Sequence, residues 1–321
     1  MKSRGPLLSV IIPTYGRPQM LSEAIGSALD AAVGDIEILV VDDHPTISAS
    51  ECPRYVGRDH RVRVLRSGPS AGGAIAKNCG AEAAHGEILL FLDDDDVLCP
   101  DACSRIMDAF KRNPEIEVLC LEVACFGPRS AEIQAAHARG AAALLARHKS
   151  AVQFGGVIRL ERGIAISLCE TVPISFQNFA VRKDSFNRIG GFRKECVLWD
   201  NEWMIRAALE LRTAFLPGAA YMWRLGEQNL FSHSRKNIDQ DLSVIGYLKS
   251  LREARLIRDD PKVLSDFDVA FSNVLYRVAR RQLCERRLLK GLYTLIGAQR
   301  RHHVPSRWLT LGRVIIGSDD R

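Results

Sequence analysis

Short apolar runs of strand length recur along the first part of the chain, and they constrain its fold more than any other feature. The runs are Leu7–Ile12, Ile36–Val41, Val62–Leu65, Ile88–Leu92 and Ile116–Leu121. Stretches of helical length and pattern lie between most of them, at Arg17–Ala32, Ala71–Ala84 and Pro100–Arg112. Continuous apolar strands that alternate with helices are typical of a mostly parallel sheet covered by helices on both faces. The sequence therefore predicts an α/β fold.

The pattern changes twice further along the chain. Residues 128–172 break the alternation with an alanine-rich helical pattern over Ala131–His148 and a glycine-rich stretch, which we interpret as an insertion or crossover at the edge of the sheet. From about residue 235 onward the apolar spacing is helical. We predict one domain over residues 1–230, with residues 128–178 as its insertion, and a helical C-terminal appendage over residues 231–321.

Positive charge is concentrated near the end of the chain. The formal net charge is +6, yet Lys249–Arg321 contains 16 Lys and Arg against 8 Asp and Glu. Such asymmetry predicts a binding or catalytic body that carries a basic tail. The tail could contact a membrane surface, nucleic acid or an anionic substrate, or form an ordinary solvated helical surface.

Composition and missing motifs exclude several classes of protein. Apolar residues make up 47% and charged residues 26%, which excludes a disordered or low-complexity chain. No apolar run approaches the roughly 18 residues of a membrane span, and neither a signal peptide nor a CxxC pair is evident. We therefore expect a reduced, cytoplasmic protein. The GxGxxG, GxxxxGK[ST], HExxH and GxSxG motifs are absent, which argues against dinucleotide, P-loop, zincin and serine-hydrolase sites.

Acidic residues follow two strands at the point where each strand ends, as the pair Asp42-Asp43 and the run Asp93–Asp96. Ligands of an open parallel sheet bind beyond the carboxyl ends of its strands, so both groups should converge there. Consecutive carboxylates repel one another, and Mg²⁺ or Mn²⁺ shared with substrate phosphates is the natural counter-charge. The alternative is that these acids cap helices or form turns, as we expect for Asp96.

Six motifs in order resemble those of the family 2 glycosyltransferases over about residues 7–225. They are SVIIPTYGR at 9–17, VVDD at 40–43, AKNCG at 76–80, GE leading to FLDDDD at 86–96, IGGF at 189–192 and DNEWMIR at 200–206. The resemblance implies the GT-A fold, a Rossmann-like sheet, to which this chain adds the C-terminal helices. It also implies an inverting enzyme that depends on Mn²⁺ or Mg²⁺ and on a nucleotide-sugar donor.

The resemblance further implies roles for individual residues on the donor side. Tyr15 would pack on the nucleobase, and Asp43 would accept a hydrogen bond from the uracil ring, which favours a UDP-sugar. Asp93 and Asp95 would form the DxD pair that contacts ribose and metal, and His233 is assigned as a further metal ligand. The whole expected nucleotide site consists of Pro13, Tyr15, Arg17, Asp43, Lys77, Asp93, Asp94 and Arg224.

On the acceptor side, Asp200 stands where the family places its general base. Such a base takes the proton from the acceptor hydroxyl, although Asp200 could also cap the helix that follows it. Trp199 replaces the acid that usually precedes the base. We expect Asn178, Trp199 and Glu202 to contact the acceptor, with the insertion on the same side.

The sequence thus predicts transfer of a sugar from a UDP-sugar to a hydroxyl of a glycan or lipid-linked acceptor, in surface polysaccharide synthesis. The expected location is the cytoplasm, peripheral on the inner membrane face through the basic tail, with no nucleic-acid partner. A nucleotidyltransferase is one alternative, but it would need a basic glycine-rich loop after the first strand. A non-catalytic GT-A scaffold protein is another, but it should have lost the carboxylates.

Overall fold

A sheet of ten strands forms the centre of the first part of the chain in the computed structural model. The structure describes residues 8–32, 34–46, 49, 55–68, 71–128, 130–154, 156–226, 238–285 and 287–308. Its strands are β1 (Leu8–Thr14), β2 (Ile36–Asp42), β3 (Val62–Arg66), β4 (Ile88–Phe91), β5 (Val97–Leu98), β6 (Val118–Phe126), β7 (Lys149–Phe154), β8 (Val157–Leu160), β9 (Phe179–Arg182) and β10 (Thr213–Arg224).

Helices connect these strands and fill the C-terminal part of the chain. They are α1 (Pro18–Asp30), α2 (Gly73–Ala83), α3 (Ala102–Arg112), α4 (Ser130–His148), α5 (Ile164–Glu170), α6 (Ile174–Gln177), α7 (Lys183–Ile189), α8 (Trp199–Glu210), α9 (Ile238–Arg252), α10 (Arg255–Arg258), α11 (Pro261–Cys284) and α12 (Leu288–Arg301). None of the described helices is long and apolar enough to span a bilayer.

The strand order is β3-β2-β1-β4-β9-β6-β10-β8-β7, and β5 pairs with β10. Six strands of the central region run in the same direction, while β9 lies antiparallel between β4 and β6. This confirms the predicted α/β class with a mostly parallel sheet. All five predicted apolar runs form strands. The sequence of the short β9, in contrast, carries no signal that this strand runs in the opposite direction.

Helices cover both faces of the sheet because alternate residues of each buried strand point to opposite sides. Val10, Ile12 and Val40 belong to the core that α1 and α3 share. On the other face α2 lies very close to β1, and a Cβ on Gly80 would be 2.4 Å from Cγ2 of Ile11. The glycine therefore permits the approach of α2 to the sheet.

The predicted insertion contains α4, which matches the expected alanine-rich helix, and the β7–β8 hairpin. Strand β8 pairs antiparallel with β10 and so extends the sheet at that end. By its contacts the chain divides into two units. The first consists of Met1–Ile164, Pro173–Glu195 and Trp199–His233, and the second of Ala165–Val172, Cys196–Leu198 and Ser234–Arg321.

The described part of the second unit is helical, as predicted for the C-terminal region. Helix α11 begins after Asp260, whose carboxylate accepts hydrogen bonds from the backbone N–H groups of Lys262 and Val263 at 2.9 and 3.1 Å. Helix α12 packs against α11, and the buried Ser272 hydroxyl donates to the carbonyl of Ala298 at 2.8 Å. These contacts make α11 the centre of the unit.

Candidate active site

The acidic groups meet at one edge of the sheet because β1 pairs in parallel with both β2 and β4. The backbone N–H of Asp43 donates to the carbonyl of Thr14 at 3.0 Å, and that of Leu92 donates to Ile11 at 3.0 Å. The loops that follow β1, β2 and β4 are therefore neighbours. This is the convergence that the positions of the acidic residues in the sequence predicted.

Arg17 holds two carboxylates of the acidic run together. Its guanidinium forms an ion pair with Asp94, and its Nη1 lies 2.7 Å from Oδ2 of Asp95. The hydroxyl of Thr14 also donates to Asp94 at 2.7 Å. Burial nevertheless raises the pKa of Asp94 to about 6, although Arg17 and Thr14 act in the opposite direction. Burial and the charge of Asp93 likewise raise the pKa of Asp95.

Lys77 supplies the second positive charge of the site. It lies on α2, is buried, and its Nζ is 2.7 Å from Oδ1 of Asp93. The same ammonium group lies 4.8 Å from the centre of the Trp199 ring. The side chain of Asp93 is 46% exposed, so it is the most open of the carboxylates that these two cations contact. A ligand can reach it from solvent.

The last acid of the run closes a turn, as expected for Asp96, because its backbone N–H donates to the carbonyl of Asp93 at 3.1 Å. Its buried carboxylate accepts hydrogen bonds from the Tyr221 hydroxyl at 2.8 Å and from the backbone N–H of Arg224 at 2.7 Å. The side chain of Arg224 donates to the carbonyl of Asp95 at 2.7 Å and pairs with Glu23. Arg224 thus braces the acidic loop, and its expected diphosphate contact remains a prediction.

The expected nucleobase site lies beside the acidic loop. Both oxygens of Asp43 accept hydrogen bonds, from the Ser67 hydroxyl at 3.0 Å and from the backbone of residues 71 and 72 at 2.6 and 2.7 Å. Tyr15 is half-exposed, and its ring centre is 4.6 Å from that of His44. Pro13 is partly buried near the end of β1. An open aromatic face next to a fixed acceptor suits a planar base.

Aromatic packing positions α8, the helix that carries Asp200. The rings of Trp203 and Phe179 stack with their centres 4.4 Å apart, and the indole N–H of Trp203 donates to the carbonyl of Gly190 at 3.0 Å. Trp199 lies against Phe192 at 4.9 Å in an edge-to-face arrangement. The first turn of α8 is thereby fixed beside Lys77.

Asp200 lies in this first turn, one residue inside the helix, so it is not its N-cap. Burial raises the pKa of its carboxyl group, the positive charge of Lys77 lowers it, and the negative charge of Asp93 raises it further. Lys77 therefore pairs with Asp93 and also lowers the pKa of Asp200. A carboxyl with a raised pKa is better suited to accept a proton than an ordinary exposed aspartate.

Two expected acceptor residues have other roles in the structure. Glu202 is fully buried, and both of its oxygens accept hydrogen bonds from Arg206 at 3.0 Å. Its geometry therefore corrects the expected acceptor contact, because the carboxylate is enclosed and paired. The amide of Asn178 donates to the carbonyl of Ile174 at 3.0 Å, which ends the short helix α6. His233 lies outside the described residues.

Three contributors to the site were missed from the sequence, namely Thr14, Tyr221 and Glu23. Thr14 lies in a quoted motif, yet nothing in its spacing indicated that it anchors Asp94. Tyr221 lies on a strand that no short apolar run had marked. Glu23 contacts Arg224 only because α1 and β10 meet in three dimensions.

The residues from 9 to 189, more than half of the chain, match the family model described as Glycosyl transferase family 2. The chain belongs to glycosyltransferase family 2. It is 35% identical over 108 residues to the GalNAc(5)-diNAcBac-PP-undecaprenol beta-1,3-glucosyltransferase of Campylobacter jejuni, which covers 32% of this chain and 34% of that protein. The chain spans well under two thirds of the curated relatives it matches, at 31% to 44% for three of them.

Solved structures of the same fold cover nearly the whole chain. TarS 1–349 of S. aureus, in complex with UDP-GlcNAc, gives a TM-score of 0.60 at 16% identity and covers 98% of this chain and 93% of that one. The mannosyltransferase PcManGT from Pyrobaculum calidifontis, in complex with GDP-Man and Mn²⁺, gives 0.55 at 15% identity and covers 99% and 89%. This likeness confirms the expected GT-A fold with its C-terminal helices.

The donor set of this family 2 chain determines which metal it could hold. Within the described residues no group of three or more His, Cys, Asp and Glu side chains is arranged for a metal ion. Asp93 and Asp95 instead offer carboxylate oxygens, the ligands of hard divalent cations. Two such ligands fit a cation that completes its shell with water and phosphate oxygens.

Proposed function

We propose that this chain is an inverting, metal-dependent glycosyltransferase. It moves a sugar from a UDP-sugar to a hydroxyl of a glycan or lipid-linked acceptor in surface polysaccharide synthesis. The observation that carries the proposal is the group formed by Lys77, Asp93 and Asp200. Lys77 pairs with Asp93 at 2.7 Å, and both charges act on the pKa of Asp200. Donor-side and acceptor-side acids thus belong to one electrostatic unit.

On the donor side, Tyr15, Pro13 and Asp43 would bind the base, and Asp93 and Asp95 would hold Mg²⁺ or Mn²⁺. A bound cation would supply the positive charge that stabilises the departing diphosphate. Arg17 and Lys77 already neutralise part of the negative charge of Asp95 and Asp93, respectively. The complexes of TarS with UDP-GlcNAc and of PcManGT with GDP-Man and Mn²⁺ support a nucleotide-sugar and a divalent cation.

On the acceptor side, Asp200 would accept the proton of the attacking hydroxyl. The oxygen–anomeric carbon bond forms as the bond from that carbon to the diphosphate breaks, so the nucleoside diphosphate leaves with both bonding electrons. Because one displacement occurs, the configuration at the anomeric carbon inverts. The ring of Trp199, held by Phe192, would form one wall beside Asp200.

The proposed acceptor class rests on a relative of the chain. The Campylobacter jejuni relative is named for a lipid-linked glycan acceptor. The cytoplasmic location stays a prediction. Asn178, which directly precedes β9, stays a proposed acceptor contact, whereas the buried Glu202 is withdrawn.

The test is a screen of UDP- and GDP-sugars for release of nucleoside diphosphate, with Mn²⁺ or Mg²⁺ and with EDTA. We expect one UDP-sugar to be turned over and EDTA to abolish the reaction. Asp200→Asn should bind the donor as the wild type does and lower transfer roughly 10²–10⁴-fold, because it removes the base. Asp108→Asn is the matched control, since that carboxylate is 61% exposed on α3.

The screen also separates the alternatives. When a nucleoside triphosphate and a sugar phosphate are supplied instead of a nucleotide-sugar, release of pyrophosphate would identify a nucleotidyltransferase. If no nucleotide-sugar binds at millimolar concentration with metal present, the protein is a scaffold that has kept the fold. Equal transfer by Asp200→Asn and wild type would exclude Asp200 as the base.

A further inference from the structure

Helix α12 has a well-defined inner face. Gly291, Leu295 and Ala298 are buried on that face, at the spacing of one side of a helix. The contact with α11 is so close at Gly291 that a Cβ there would lie 2.6 Å from Cγ of Leu283. The inner face therefore fixes which residues of α12 point outward.

The outer face of α12 is apolar, where a helix on the surface of a soluble unit normally carries polar residues. Leu289 is 86% exposed and Tyr293, one turn later, is 82% exposed. Leu288 is half-exposed beside them. Leu289 and Tyr293 are the two most exposed large apolar side chains in the part of the chain that the structure describes. Burying them would be favourable, because each exposes a large apolar area to water.

Positive charge surrounds this apolar face. Lys290 and Arg300 are exposed and form no ion pair with any described residue. The sequence contains no Asp or Glu from Arg286 to Ser318. Other arginines of the unit are paired, as Arg252 is with Asp268 at 2.8 Å. Among the described residues, Lys290 and Arg300 therefore lack an acidic partner, whereas Arg301 of the same helix lies 3.7 Å from Asp268.

We propose that the outer face of α12 docks on an anionic membrane surface. Leu289 and Tyr293 enter the boundary between headgroups and acyl chains, while Lys290 and Arg300 contact lipid phosphates. An apolar stripe with Leu and an aromatic residue, flanked by lysine and arginine, is the pattern of a helix that lies in the interface plane. The inference does not depend on the chemistry of the candidate active site.

Two other occupants fit the face less well. A nucleic acid would pair with the positive charges but would leave Leu289 and Tyr293 in contact with water and phosphate. A second copy docked by two-fold symmetry would bring the same face together, so Lys290 and Arg300 would face like charges. A membrane with anionic lipid satisfies both the apolar and the cationic side chains.

The experiment is co-sedimentation of the full chain with vesicles of phosphatidylcholine alone or mixed equally with phosphatidylglycerol. We expect at least about tenfold tighter binding to the mixed vesicles, because each nearby basic residue contributes about a factor of five. Added salt should weaken this binding. Leu289→Ser with Tyr293→Ser should lower binding to the mixed vesicles roughly 100-fold. Lys290→Gln with Arg300→Gln should remove most of the preference for anionic lipid.

Leu256→Ser is the matched control, because Leu256 is 47% exposed but its neighbours Arg255 and Arg258 pair with Asp259. It should bind vesicles as the wild type does. Unchanged vesicle binding by the Leu289 and Tyr293 variant overturns the proposal. So does a wild-type dimer, seen by light scattering without lipid, that this variant dissociates. Donor turnover in solution, measured in parallel, should be equal in all these variants, so failure of the docking proposal is distinguishable from failure of the proposed activity.

Discussion

Two acidic clusters follow strands β2 and β4 of the sheet, and their carboxylates have different kinds of partner. In the first cluster, Asp42 and Asp43, the carboxylates accept hydrogen bonds mainly from backbone N–H groups, with Arg66 and Ser67 as side-chain partners. In the second cluster, Asp93–Asp96, the two more exposed acids pair with side chains: Asp93 with Lys77 and Asp95 with Arg17.

The first cluster is therefore structural, whereas the partners of the second cluster can move. Backbone donors cannot leave a carboxylate unless the loop moves, so the first cluster fixes its loops in one arrangement. Lysine and arginine side chains can rotate away when a ligand arrives. A change of Asp42 should therefore affect folding, and a change of Asp93 or Asp95 should affect ligand binding and turnover.

The largest effect is expected for Asp95→Asn. Loss of one of the two carboxylates proposed to bind the metal should lower metal-dependent donor turnover roughly 1,000-fold, since a cation contributes several kcal/mol of charge stabilisation to the leaving group. The free energy of unfolding should change by less than about 1 kcal/mol, because the variant also removes repulsion from Asp93. Urea unfolding and a nucleotide-release assay give the two numbers. Substantial destabilisation of Asp95→Asn would contradict the difference between the two clusters.

Asp42→Ala should have the opposite signature. The side chain of Asp42 is 1% exposed, and it accepts from the backbone of His44 and Ala49 and from Arg66 at 2.7 Å. Removing it leaves donors without a partner, so we expect a loss of roughly 3–4 kcal/mol in the free energy of unfolding. Chemical denaturation measures this loss, with the exposed Asp108→Ala as control. A loss below about 1 kcal/mol would contradict a structural role.

The pH dependence of stability should report the burial of Asp94. Its pKa is about 6 in the folded protein against 3.8 for an ordinary aspartate. Since the folded-state pKa is raised, the favourable contribution is complete below about pH 4 and is lost as pH rises through 6. The difference amounts to at most about 3 kcal/mol. We expect wild type, without metal, to lose stability relative to Asp94→Asn between pH 4 and pH 7; parallel curves would contradict this.

The smallest effect concerns Lys77, which links the second cluster to Asp200. Its positive charge lowers the pKa of Asp200. In Lys77→Gln the acidic limb of the rate profile should therefore move to higher pH, whereas Lys77→Arg should leave it in place. Transfer rates measured from pH 5 to pH 9 give the comparison. An identical limb in all three proteins would show that Lys77 acts on Asp93 alone.

The sequence was sufficient to predict the features that depend on local pattern. Strand-length apolar runs predicted β1 to β4 and β6, and the acids after β2 and β4 located the edge at which they meet. The reversed direction of β9 was not predictable, because four residues carry no signal of pairing direction. The enclosed pair of Glu202 and Arg206 and the bond from Tyr221 to Asp96 depend on contacts between distant segments.

The placement of β9 has a consequence for the order in which the chain can assemble. Strands β3, β2, β1 and β4 come from the first 91 residues and can pair as soon as that stretch exists. Strand β6 cannot join them directly, because residues 179–182 must lie between β4 and β6. During synthesis the edge of β4 therefore stays unpaired until residues 179–182 have been made. A chain that stops before residue 179 keeps that edge exposed to other strands.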